Sequence, residues 1–254
     1  MSAPLAVAVW VDARKAHASR VLLGTTLLLV AGVAILSGTL LLAADAGNQQ
    51  VLAQLGLLAD QDDWGRLVGV ASQITAAGGL LAFGVALSRM IGREFSDATI
   101  TGLFALPIKR STIALAKLVT YFAWATVIAL GLAALVAALG LALGLGLPDA
   151  PAVAALGRLL ALTLLTALLA VPAAWVSTLG RGLLPGVATS VGTLVAAQVF
   201  VVAGTGAWFP PAAPALWAVT PDTVTAAQLS LVPAISAVFV VLTTQAWAEL
   251  QLDR

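Results

Sequence analysis

Hydrophobic residues in this chain run in long stretches, and the charged residues gather in short islands between them. Placing Asp, Lys or Arg at mid-bilayer costs roughly 2.5–3.5 kcal/mol on insertion scales. Charge-free runs of about 20 residues therefore mark helices that cross about 30 Å of hydrocarbon. The pattern predicts spans over about 21–44, 67–88, 118–147, 159–180, 183–203 and 223–248. The third frays near Gly144-Leu145-Gly146-Leu147-Pro148. Residues 182–221 carry no charge, yet Gly204-Thr205-Gly206 and Pro210-Pro211-Ala212-Ala213-Pro214 break them before a sixth span begins. Residues 1–20 read as an N-terminal amphipathic helix at the interface, 21–254 as a six-span domain, and 89–117 as a cytoplasmic loop within it. In the tail, Val7, Trp10 and Val11 share a helical face while Arg14 and Lys15 meet lipid phosphates; the alternative is a plain basic flank that only sets orientation.

Composition agrees with this pattern. Hydrophobic residues make up 61% of the chain and charged residues 9%, against about 25% charged in soluble domains, and the mean hydropathy is +1.06. The net charge of +1 hides an asymmetry along the chain and implies no nucleic-acid partner. Six spans put both termini on one side. The cations Arg14, Lys15, Arg20, Arg89, Arg93, Lys109, Arg110, Lys117, Arg181 and Arg254 share that side, against Arg66 and Arg158 on the other. The positive-inside rule makes the cation-rich side cytoplasmic, in a multi-pass protein of the cytoplasmic membrane. The acidic loop with Asp60, Asp62 and Asp63 then faces out, with Trp64, Trp208 and Trp217 at the outer interface and Trp175 and Trp247 at the inner one. The apolar start of the chain precedes its charges, the reverse of a cleaved leader, so no cleavage is expected.

The polar island Arg89 to Lys117 is the most specific segment. Ile100, Leu103, Phe104 and Pro107 fall at i, i+3, i+4 and i+7, one apolar stripe of a short helix that Asp97 caps and Pro107 ends. Ser111 is placed to cap the third span. So short a helix is marginal by itself and needs a surface to bury its stripe: the ends of neighbouring spans, or a partner's groove.

At these residues the chain resembles the ABC-2 type permeases, the membrane subunits of one class of ATP-binding-cassette exporters. The resemblance is carried by Arg93-Glu94-Phe95, Ala98-Thr99-Ile100, Leu103 to Ile108 and Ile113 to Lys117, with Ala98 standing where the family usually has glycine. The tail around Arg14-Lys15 and Ser19-Arg20 is similar to the family's opening. The run Trp208 to Trp217 resembles its proline-aromatic outer loop. The resemblance implies an all-α membrane protein of six transmembrane helices. It adds an N-terminal interfacial helix, a cytoplasmic coupling helix between spans two and three, and an outer-leaflet re-entrant segment between spans five and six. It implies Glu94, Thr99, Ile100, Leu103, Phe104, Leu106 and Pro107 as the surface coupled to an ATPase, with Glu94 tying the island to the spans. The alternative for Glu94 is a solvent pairing with Arg89 or Arg93.

Little in the spans supplies energy. No titratable residue lies in the middle of any predicted span, which disfavours an ion-coupled carrier, and no G-x-x-x-x-G-K-[ST] cradle for nucleotide phosphates is present. One histidine and no cysteine leave no metal or thiol chemistry in view. The expectation is a non-enzymatic permease subunit with no cofactor of its own. ATP and Mg would bind a separate ATP-binding subunit present in two copies, and a second permease subunit, as a homodimer, would complete the exporter among membrane lipids. The cargo would be hydrophobic or amphipathic: a lipid, peptide antibiotic or drug. Gln73, Gln198, Trp208 and Phe209 are the candidate pathway residues, although a glutamine in a span is more readily an interhelical hydrogen-bond partner. The competing reading is a non-transporting anchor or scaffold for a cytosolic partner. Pro172, Pro185 and Pro233 are candidate kinks, Pro233 the best placed for a working bend.

Overall fold

The computed structural model describes residues 3–58, 60–97, 102 and 108–251. Among them the protein is all-helical, with six helices long and apolar enough to cross a membrane. A tail helix α1 (Ala3–His17) precedes α2 (Arg20–Asp45), the first of the six. A short α3 (Gln49–Leu55) leads to α4 (Asp63–Ser96), then α5 (Arg110–Ala142), α6 (Ala150–Leu179) and α7 (Leu183–Val202). A short α8 (Ala213–Val219) separates α7 from α9 (Ala226–Glu249).

The helices outrun the hydrophobic runs that announced them. The second span was expected over 67–88, but α4 covers Asp63–Ser96; α5 starts at Arg110 and α6 at Ala150. Hydropathy measures immersion in lipid, whereas helix continues wherever the residues favour it, as Arg89, Arg93 and Glu94 do. At one end of the bundle, acidic and polar residues close the helix starts. Asp62, Asp149 and Thr225 accept hydrogen bonds from the first-turn amides of α4, α6 and α9. Ser111 does not cap α5; Lys109 holds the N-cap position without a side-chain bond, and Ser111 lies in the first turn. Asp97 closes the C-terminus of α4, its amide on the Arg93 carbonyl and its carboxylate 3.8 Å from the Arg93 guanidinium. The short helix expected after it lies outside the described residues.

The core is built around α4. Of its most apolar window 61% is buried, against 17% for α7, so α4 is the central post and α7 a peripheral one. Phe83 of α4 meets Tyr121 and Trp124 of α5 edge-to-face, with ring centroids 6.3 and 5.7 Å apart. Trp64 and Trp247 do not stand in an interfacial belt. Both are buried: Trp64 lies over Gly140, and the Trp247 indole N–H donates to Thr178 Oγ1 at 3.0 Å.

The helical break also falls elsewhere than expected. α9 runs through Pro233 without interruption, while α6 is broken at Ala170, beside Pro172. Proline has no N–H to offer the carbonyl four residues back, so Leu168 O is released. The Ser236 hydroxyl of α9 reaches it at 2.9 Å, and the Tyr121 hydroxyl of α5 donates to the neighbouring Ala167 O at 2.8 Å. Two other spans thus satisfy the backbone that the break exposes, as a membrane interior requires.

Candidate functional site

The tail, the island's two roots, the α6–α7 turn and the C-terminal end of α9 meet at one end of the bundle. Phe95 packs edge-to-face on Trp247 at 6.0 Å, the Arg110 guanidinium donates to Leu250 O, and Arg181 donates to Gln251 O at 3.2 Å. This is the basic end. The opposite end holds the Arg66 guanidinium between Asp45, at 3.1 Å, and Asp63.

Three apolar stripes converge at the basic end, and each carries a charge at the same level. On α4 the buried stripe Phe83, Leu87, Ile91 continues in helical phase to Glu94. On α5 the stripe Ile113, Lys117, Tyr121 places a lysine between two buried residues. On α1 the inner face presents Asp12 and Lys15. Lys117 Nζ lies 2.7 Å from Glu94 Oε1 and 3.2 Å from Asp12 Oδ1, while Lys15 Nζ lies 3.3 Å from the same Glu94 oxygen. Glu94 is 1% and Lys117 3% exposed, so these two and the buried Asp12 form an interior node that the partly exposed Lys15 reaches from its edge. The solvent-exposed alternative for Glu94 is overturned by that burial.

Charges buried this deeply persist because they are paired. Removing one partner of a buried pair typically costs about 3–5 kcal/mol, whereas exposed pairs contribute about 0–1 kcal/mol. The cleft beside the node, bordered by Ser19, Arg89 and Arg93, has a volume of about 20 Å³, room for a water and not for a ligand. The node therefore joins helices and does not enclose a ligand. Glu94 lies just before the end of α4 and Lys117 in the second turn of α5, so both roots of the 98–107 segment are clamped to each other and to α1.

Of the expected coupling residues, the structure places Glu94 in this joint; Thr99, Ile100, Leu103, Phe104, Leu106 and Pro107 lie outside the described residues. Sequence reasoning missed Asp12, Lys15 and Lys117 as its partners. The available signal was a lysine inside the stripe Ile113–Tyr121 and a lone acid in the apolar tail, two charges where helical phase places buried residues. Arg14 turns away from the node and stacks over the exposed Trp10, 4.3 Å from the ring centroid.

The candidate pathway residues divide. Gln73 of α4 and Gln198 of α7 line one cavity of about 440 Å³, closed on one side by Pro211 in the turn before α8 and by Pro214 and Leu216 of α8. Among the described residues, none that lines it is charged. Trp208 and Phe209 are outside this lining: Trp208 is exposed, and Phe209 stacks on Phe200 at 4.2 Å.

The family model described as ABC-2 family transporter protein matches residues 9–198. The chain belongs to the ABC-2 transporter family. The match covers all four residues of the ionic joint and both roots of the island, and it ends before α8 and α9. No curated protein matches the chain. Family membership together with six membrane-capable helices makes the chain a multi-pass membrane transport permease, the non-catalytic component, and implies association with an ABC ATP-binding subunit.

Proposed function

We propose that this ABC-2 permease is the membrane half of an ATP-driven exporter. Two copies pair as a homodimer, each engaged by an ATP-binding subunit that holds ATP and Mg. The basic end faces the cytoplasm with both termini, as its cation excess favours. α1 lies along the inner interface with Val7, Trp10 and Val11 outward, all exposed. The segment 98–107 acts as the coupling helix, with Ile100, Leu103, Phe104 and Pro107 as its contact stripe on the ATPase. The stretch 206–221, with α8 seated against α4 and α6, is a re-entrant element of the outer leaflet that caps the pathway.

The observation that carries this reading is the buried joint at the island's roots. A push on 98–107 reaches α4, α5 and α1 together, because separating them strands a charge away from water. Rigid rocking of packed spans is how such a displacement is converted into alternating access. The Gln73–Gln198 cavity supplies amide hydrogen bonds within a largely apolar lining that also holds Thr166 and Thr220, which fits a neutral or amphipathic hydrophobic cargo.

The test is reconstitution of the chain with its ATP-binding subunit in proteoliposomes, following a fluorescent amphiphile on addition of ATP. Expected is ATP-dependent movement with the complex and none with the chain alone. Movement by the chain alone would overturn the energy assignment. A stable complex that hydrolyses ATP but moves no amphiphile would favour the scaffold reading.

A further inference from the structure

A second cavity, of about 430 Å³, lies on the side of α1 away from the ionic joint. Val9 and Ala13 of α1, Leu23 of α2, and Ala123, Trp124 and Val127 of α5 form its walls. Its size falls within the range of about 300–1,000 Å³ typical of small-molecule sites. The trough is apolar in its depth, where the polar groups are already engaged. The Trp124 indole N–H donates to Thr26 Oγ1 at 3.0 Å, and the Thr26 hydroxyl donates to Leu22 O at 2.8 Å.

Its rim is different. His17, the one histidine of the chain, lines the groove, and Arg20 precedes Leu23 by three residues and so shares its helical face. Both are exposed, and neither has an ion-pair partner among the described residues. Between rim and depth, about one turn past Lys117 and one before Trp124, Thr120 lines the wall with a buried hydroxyl that lacks a partner among the described residues. The order is donor and cation at the mouth, an unused hydroxyl below, and apolar trough beneath. That order matches phosphate, ester and hydrocarbon.

We propose that the groove between α1, α2 and α5 seats one acyl chain of an anionic phospholipid from the leaflet in which α1 lies, with its phosphate between His17 and Arg20. An anionic headgroup near the surface gains from each basic side chain, whereas a zwitterionic one gains little. The lipid would be a fixed part of the permease and would wedge α1 against α2 and α5. The inference needs only that α2 and α5 cross a bilayer with α1 at its surface, and so stands apart from the exporter reading.

The full chain, purified in detergent and titrated with phosphatidylglycerol or phosphatidylcholine, is weighed intact by native mass spectrometry. Expected is one retained phosphatidylglycerol per chain, preferred over phosphatidylcholine. Ala123→Trp fills the groove from an exposed position and is expected to abolish that retention, while Ala134→Trp, exposed on α5 outside the groove, leaves it intact. Arg20→Gln is expected to weaken phosphatidylglycerol about fivefold without changing phosphatidylcholine. Undiminished retention in Ala123→Trp, equal loss in Ala134→Trp, or no preference between the two lipids would each overturn the assignment.

Discussion

Lys117 touches two carboxylates and is nearly inaccessible, while Lys15, on the other flank of Glu94, is more than a third exposed. The two lysines therefore differ in consequence although both reach the same glutamate. Lys117→Met removes the buried ammonium that Glu94 and Asp12 share and is expected to cost about 3–5 kcal/mol of stability. Lys15→Met is expected to cost no more than about 1 kcal/mol. Thermal unfolding of the two variants in detergent, followed by far-ultraviolet circular dichroism, checks this; equal melting points would contradict the ranking. Glu94 stands out in the sequence as the one glutamate of the island. Its partners do not, because Lys15 and Asp12 lie on α1, far up the chain, and meet α4 and α5 only when three helices come into register.

At the scale of elements, lipid makes the spans readable and hides their ends. The cost of a charge in hydrocarbon marked the six runs, but it is silent about turns that emerge into the interface, so α4 extends well past Ser88. The proline pattern named Pro172 among three candidates but ranked Pro233 first, and Pro233 lies inside an unbroken helix. The break at Ala170 persists because Tyr121 and Ser236 accommodate it, and those contacts exist only in the folded bundle. Close approaches were equally hidden among many glycines. A Cβ on Gly92 would lie 2.6 Å from the backbone of Gly182 and Leu183, whereas one on Gly78 of the same helix meets nothing within 4 Å. Gly92→Ala is therefore expected to push α4 away from the α6–α7 turn and lower stability by more than about 1 kcal/mol. Gly78→Ala is expected to be neutral or to stabilise by up to about 1 kcal/mol through helix propensity. Parallel thermal melts decide it, and a Gly92→Ala variant as stable as the parent would mean that the contact yields freely.

Across the whole molecule, one end gathers the tail, the island's roots, the α6–α7 turn and the last turn of α9, with cations predominating; the other carries Asp-capped helix starts and Arg66 held by carboxylates. That polarity was legible in the order of charges along the sequence, and the motif around Glu94 pointed to the family that the match over residues 9–198 establishes. The cavity under α8 was only half legible. Gln73 and Gln198 are conspicuous as amides in apolar runs, but that they line one space depends on α8 packing against α4 and α6. The account rests on the ionic joint carrying a cytoplasmic push into the spans. Glu94→Gln keeps the size of the side chain and removes its charge, leaving Lys117 to Asp12 alone within the joint's Lys117 pairs. The most direct measurement is ATP-dependent movement of a fluorescent amphiphile by the Glu94→Gln permease, at matched folded protein and matched bound ATP-binding subunit. A drop of at least about tenfold is expected, with the subunit still bound and hydrolysing ATP, corresponding to about 1.4 kcal/mol of lost coupling. Movement at the parent rate would contradict the account.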